Sequence, residues 1–250
     1  MKGIIRSDIY RLVHSKGFYI YWLIIAFVYG ITVKVRSPGG INFGYLPDIS
    51  GFKTDIGQIA FGFNYYFFMI MPVFIIVLSD FSLDTIKNTI SSGISKTRYF
   101  AAKYVFTVAF VLCSILLASC AFYFTYRLVN GADESSAFSD FIKYTLMQLP
   151  IFAAIASAFI FLAVLSRKAA VFNSVTCITP LVYMFAAGVT TLLKYEKATR
   201  ILARYEVGRM LASVVENDDD YLTRIYIISA AAIVITFVGG LALFKKRDVK

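Results

Sequence analysis

Residues Tyr144–Leu193 read YTLMQLPIFAAIASAFIFLAVLS, then RK, then AAVFNSVTCITPLVYMFAAGVTTLL. The first run has 23 residues without a charge and the second has 25, separated only by Arg167 and Lys168. At ~1.5 Å of helical rise per residue, each is long enough for the ~30 Å hydrocarbon core of a bilayer. A helix in a soluble core has one face toward water and so carries charges at helical spacing. These two runs have none, and their connector is too short for anything but an antiparallel neighbouring pair.

Four further charge-free stretches lie outward from this pair: Gly17–Val33, Ile56–Ser79, Tyr104–Tyr126 and Ile225–Phe244, of 17, 24, 23 and 20 residues. The pattern predicts an all-α membrane protein with six transmembrane helices at about 17–35, 56–79, 104–126, 144–166, 169–193 and 224–244. The spans are expected to form a single transmembrane domain over residues 1–250. The chain is 59% hydrophobic and only 16% charged, and the spans leave too little over for a separate soluble catalytic domain. Lys34, Val35 and Arg36 follow the first span where a leader would have small residues, so that helix is expected to be retained.

The net charge of +10 is unevenly distributed. With the N-terminus inside, segments 1–16, 80–103, 167–168 and 245–250 hold 14 basic and 4 acidic residues. The opposite segments, 34–55, 127–143 and 194–224, hold 11 of each. Basic residues in short loops stay on the cytoplasmic side, so both termini are expected there. Anionic inner-leaflet lipid accounts for the basic character, and nucleic-acid binding need not be invoked.

Before the first span, Ile5, Ile9 and Leu12 share one helical face while Ser7, Arg11 and His14 lie opposite. That spacing predicts an interfacial helix with its basic side toward headgroups. Segment 34–55 is rich in Pro and Gly and reads as an outer loop. Segment 80–103, DFSLDTIKNTISSGISKTRYFAAK, is too long for a simple hairpin. Asp80 or Ser82 could cap a helix through Ile86 and Ile90, and Gly93 would end it. Its polar string suits docking of a cytoplasmic partner. Segment 194–224 places Ala198, Leu202 and Tyr205 at helical spacing, which predicts one or two interfacial helices ended by Asn217–Asp220.

Catalytic chemistry finds little to use. The one histidine, His14, cannot build a metal cluster within a chain, and neither H-E-x-x-H nor G-x-S-x-G occurs. The charge-free stretches hold no carboxylate, which argues against an intramembrane proton relay. Gly93-Ile-Ser-Lys-Thr echoes a phosphate loop but has Ser95 where glycine must precede the lysine. Cys113, Cys120 and Cys177 all fall inside spans, where thiols usually serve as small packing residues. Pro72, Pro150 and Pro180 also fall inside spans and are candidate hinges or path-lining positions. Small residues at Ala153–Ala158 and Ala230–Ala232 mark candidate close-packing faces.

The run from Asp84 to Lys103, DTIKNTISSGISKTRYFAAK, resembles the segment after the second span in permease subunits of ATP-binding cassette type-2 exporters. That family often shows "GTIKN…SGISR…YF…K" there. Asp84 stands in place of its glycine, and Lys96-Thr97-Arg98 in place of its Ser-Arg cluster. The ending Phe244-Lys-Lys-Arg-Asp-Val-Lys250 resembles the family's basic terminus, and Arg11 with Ser15-Lys16 resembles its elbow helix.

The resemblance implies a bacterial plasma-membrane exporter subunit without enzymatic activity of its own. ATP and magnesium would be bound by a separate cytoplasmic ATPase, expected in two copies, and a second permease, identical or related, would complete the path. A coupling helix would contact the ATPase through Asp84, Thr85, Lys87, Asn88, Ser91, Ser92, Gly93, Ser95, Lys96 and Arg98, with Arg167 and Lys168 as a second inner contact. The expected cargo is a peptide, an antibiotic-like compound or another amphiphile. The competing readings are a stand-alone secondary transporter or channel, and a membrane anchor or sensor that recruits a soluble partner.

Overall fold

A computed structural model describes residues 2–34, 69–82, 85–130, 138–204 and 219–246, with isolated helical positions at 207, 210–211 and 214. Among these residues the protein is all-α. Nine helical segments follow in order: α1 (Lys2–His14), α2 (Lys16–Lys34), α3 (69–82), α4 (Thr85–Ser91), α5 (Lys96–Asn130), α6 (Phe138–Ser166), α7 (Ala169–Leu192), α8 (Glu196–Arg204) and α9 (Asp219–Lys246).

Three helices are long and apolar enough to cross a bilayer, over Lys96–Thr125, Phe141–Ser166 and Tyr221–Lys246. Shorter apolar runs occupy Lys16–Phe27, Met69–Phe81 and Ala169–Thr179. These are membrane-type helices by length and composition. Residues 35–68, which hold the expected outer loop and the first half of the expected second span, lie outside the described residues.

Local chemistry explains the boundaries at one end of the bundle. Ser15 separates α1 from α2; its Oγ accepts the Phe18 amide at 3.2 Å and so caps α2. Gly93, with φ of 90°, ends α4 in the left-handed conformation, and its amide reaches the Ile90 carbonyl at 3.0 Å. Ser95 then caps α5 through the Arg98 amide at 3.3 Å. The expected stop at Gly93 is therefore observed.

One expectation is corrected, and two helix starts are located. The helix that carries the expected third span starts earlier than that span, at Lys96, and takes in Tyr99 and Lys103. Lys103 is only 5% exposed, and its charge is balanced locally, so it can sit within a helix that sequence alone would end there. Asp80 does not cap the inner helix but lies in the last turn of α3, buried and ion-paired. Helix α9 opens at Asp219, within the 217–220 stretch expected to close the preceding helical segment, and residues 217–218 lie outside the described residues.

The core forms where α6 packs against both α5 and α9. Of the expected small residues on α6, Ala154, Ala156 and Ser157 are buried, Ala153 is half-buried and Ala158 is exposed; Ala163 is buried as well. On α9, however, Ala230 and Ala231 are exposed, and close approach occurs lower down, at Gly239 and Gly240. A Cβ on Gly240 would lie 2.9 Å from the Phe100 ring, and one on Gly239 would lie 3.2 Å from Phe161. Aromatic packing continues there: Phe100 lies 5.6 Å from Phe237 and 5.9 Å from Phe244, and Tyr104 meets Phe237 edge-on at 4.9 Å.

The prolines and cysteines take ordinary places. Pro72 is buried two residues before the π-helical turn that starts at Phe74, and Pro150 lies exposed within α6. Pro180 is part of α7. Cys113 and Cys177 are exposed rather than packed inside, while Cys120 is half-buried.

Gly240→Val should overpack the Phe100 contact and destabilise the protein by about 1–3 kcal/mol. Ala230→Val, on the exposed face, should change stability by less than about 0.5 kcal/mol. Thermal unfolding in detergent, followed by circular dichroism, reads both.

Candidate functional site

At the end of the bundle where α1 and α4 lie, four charged side chains meet. Asp8 comes from α1, as does Arg11 one helical turn on; Asp80 comes from the end of α3 and Lys103 from α5. Arg11 Nη1 reaches Asp80 Oδ1 at 2.5 Å and Nη2 reaches Asp8 Oδ1 at 3.0 Å. Lys103 Nζ lies 2.5 Å from Asp8 Oδ1 and 2.5 Å from Asp80 Oδ2. The Tyr99 hydroxyl donates to Asp80 Oδ2. Two carboxylates and two cations thus form an electroneutral cluster.

The register of α1 makes this possible. Ile4, Asp8 and Leu12 recur at four-residue spacing and face the bundle, with Arg11 beside them. Ile9, Tyr10 and Val13 are 48%, 64% and 41% exposed on the other side. The helix is therefore amphipathic, and Arg11 is held rather than free: its side chain is about two-thirds buried between the two aspartates.

A local departure in α3 also contributes. Phe74–Leu78 is π-helical, and the Ser79 amide bonds the Phe74 carbonyl five residues back. Such turns widen a helix and redirect its carbonyls. Lys103 Nζ donates to the Ile76 carbonyl at 3.2 Å within this turn. The ammonium also lies 5.6 Å from the Tyr99 ring centroid. Its three donors therefore have carboxylate and carbonyl partners, which is what a buried lysine requires.

The two aspartates are not equivalent. Asp80 uses both oxygens, accepting from Arg11 on one and from Lys103 and Tyr99 on the other. Asp8 accepts only through Oδ1, and its buried Oδ2 finds no hydrogen-bond partner among the described residues. Burial pushes the Asp8 carboxyl above its ordinary range; Lys103 and Arg11 pull the other way without cancelling that penalty.

The residues singled out from the sequence lie alongside this cluster. Ile86 anchors α4 at 3% exposure, while Lys87, Asn88 and Ser91 on α4 and Ser92 and Gly93 in the turn after it are exposed. The Ser91 and Ser92 hydroxyls donate to the Asn88 and Thr89 carbonyls. Ser95 and Arg98 are exposed at the start of α5, and Lys96 Nζ donates to the Lys245 carbonyl at 3.3 Å, joining α5 to the end of α9. Thr85 begins α4, and Asp84 lies outside the described residues. Arg167, at φ 53°, turns onto the Phe81 ring at 5.6 Å, whereas Lys168 is exposed.

Sequence reasoning missed the cluster because its acids sit at the margins it discounted. Asp80 follows a charge-free stretch by one residue, and Lys103 precedes the next by one. The i,i+3 pair of Asp8 and Arg11, on the helix leading into that bundle, was the available signal. No group of residues that could hold a metal ion occurs among the described residues. No family model matches the chain, and no curated protein matches it.

Lys103→Met leaves two buried carboxylates with one cation and should cost about 3–5 kcal/mol of stability. Asp80→Asn should cost more than Asp8→Asn, the latter about 1–3 kcal/mol, because Asp80 carries three donors through both oxygens. Denaturation midpoints in detergent give the order; equal losses for the two aspartates would contradict the asymmetry.

Proposed function

We propose that this chain is the permease subunit of an ATP-driven exporter of the ATP-binding cassette type-2 kind. In this reading it has six spans with both termini cytoplasmic, resides in a bacterial plasma membrane, and carries no catalytic site. A separate cytoplasmic ATPase binds ATP and magnesium, and a second permease completes the path for a peptide or other amphiphilic cargo.

One observation carries the reading. A short polar helix, α4, stands exposed beside a charge cluster that ties α1, α3 and α5 together. An isolated helix of seven residues is unstable in water, so α4 draws its order from Ile86 and the capped turn at Gly93 and Ser95. A rigidly mounted polar helix of this kind can pass a partner's motion into the spans. The sequence resemblance falls on the same residues, with Lys87, Asn88, Ser91 and Ser92 as the contact surface and Lys168 as a second, smaller contact.

Lys87→Glu with Gly93→Val should abolish co-purification of the ATPase while leaving membrane insertion intact. The first reverses an exposed charge, and the second forces a β-branched residue into a left-handed turn where only conformation, not crowding, opposes it. Undiminished co-purification would remove the coupling role. For orientation, in a background without native cysteines, Lys194→Cys should react with an impermeant thiol reagent added to intact cells. Ser92→Cys should react only after permeabilisation.

A further inference from the structure

Beside the charge cluster is a cavity of about 370 Å³, walled by α1, α4 and the start of α5. Its floor is made by Asp8, Asp80, Lys103 and Tyr99, all buried, which reach electroneutrality together with Arg11. Arg11 also lines it and is the most accessible ion of the cluster, its side chain 32% exposed against 3–6% for the others. The guanidinium spends one hydrogen bond on each aspartate, through Nη2 and Nη1. A guanidinium has five N–H donors, so Arg11 retains the means to bind a further oxygen anion. Ser7, Asn88 and Ser92 are exposed and stand on the rim as short polar groups.

The sign of the surroundings selects the guest. Outside the lining, the exposed charged side chains described on α1, α4 and the start of α5 are Arg6, Lys87 and Arg98, all cationic, while Asp8 and Asp80 in the lining are buried and ion-paired. The lining is therefore electroneutral, and the exposed charges described around it are basic. The far side of α1 presents Ile9, Tyr10 and Val13, and α2 continues with exposed Tyr19, Ile20 and Leu23. An apolar surface for acyl chains thus lies one helix face away from an arginine in a polar cavity.

We propose that this cavity binds the phosphate group of an anionic phospholipid, with Arg11 as its anchor and Ser7, Asn88 and Ser92 around the headgroup. Basic pockets at the membrane surface recognise anionic headgroups in this way. The inference needs only that the helices lie in a bilayer; it does not depend on the exporter reading.

The test compares the purified full chain in nanodiscs of phosphatidylcholine with and without phosphatidylglycerol. Retained lipid is counted by native mass spectrometry, and the unfolding midpoint is measured in each. Phosphatidylglycerol should be retained about fivefold more strongly than phosphatidylcholine, the discrimination one basic side chain gives near a headgroup. Ser7→Glu with Ser92→Glu should abolish that preference while keeping the wild-type midpoint in phosphatidylcholine. If the pair fails to fold, Ser92→Glu alone, on the exposed turn after α4, carries the comparison. Arg98→Gln removes an exposed cation outside the cavity and should leave the preference intact.

Inorganic phosphate is the second arm. If it displaces phosphatidylglycerol and raises the midpoint in lipid-free detergent, the phosphate site stands and its natural source is soluble. Equal retention of the two lipids overturns the proposal. So does an acidic rim that retains phosphatidylglycerol like the wild type, or an Arg98→Gln loss as large as that of the rim variants.

Discussion

Charge neutrality inside a poorly hydrated helix junction is the constraint on which the rest of this structure rests. Taking four ions out of water is costly, and the cost is offset only when each finds opposite charge and hydrogen bonds at close range. Asp8, Arg11, Asp80 and Lys103 meet that condition together and not in pairs. Moving any one of the three helices that carry them would strand a buried charge. The cluster therefore sets where α1 and α3 sit against α5, although ionic contacts of this sort are weak evidence for net stability. Its contribution is better described as specifying one arrangement among several apolar ones.

Packing around the cluster carries that arrangement into the spans. Tyr99, which donates to Asp80, also stacks on Phe244 at 5.8 Å, and Phe244 meets Phe100 and Phe81. Farther along, Tyr104 donates to Ser157 at 2.6 Å and so joins α5 to α6. Polar and aromatic contacts therefore alternate along one line from the junction toward the centre of the bundle. By contrast, α7 leaves Val171, Val175, Ile178, Val182 and Phe185 exposed. In lipid such a surface carries no hydrophobic penalty, because hydrocarbon is as apolar as the side chains.

How far this could be read from sequence depends on which signal a residue emits. Uninterrupted apolar length identified α5, α6 and α9 as membrane helices because no other environment tolerates it. The Gly93 stop was legible, since only glycine takes that conformation cheaply, and it lies where a polar helical run gives way to a new cap at Ser95. The junction was not legible, because hydropathy treats a charge as a boundary. Lys103 and Asp80 were read as ends of spans, whereas each is buried against a partner many residues away, and no local pattern reports such pairing. The same limit misplaced α1. Ile5, Ile9 and Leu12 are expected to share a face, but Leu12 is buried beside Ile4 and Asp8 while Ile9 is exposed, because the buried side is chosen by Asp8 and Arg11, whose partners lie on α3 and α5. Small residues behaved similarly: alanines at 230–232 looked like a contact, while the contact belongs to Gly239 and Gly240 because Phe100 and Phe161 reach them.

The junction also bears on how a partner could act on this protein. Helix α4 is tethered at both ends to elements of the cluster, since α3 precedes it with Asp80 and α5 follows it with Tyr99 and Lys103. A push on α4 is therefore a push on the spacing between α3 and α5. That spacing is held by a lysine bridging two carboxylates, an interaction that weakens steeply with distance in a medium of low polarisability. Such a contact resists small displacements and yields abruptly to larger ones, unlike an apolar surface that slides. In the exporter reading, that is the mechanical property needed to convert a gradual closure of the ATPase into a discrete change in the spans. The Asp8 carboxyl, loaded through only one oxygen, is then the point at which the junction gives first.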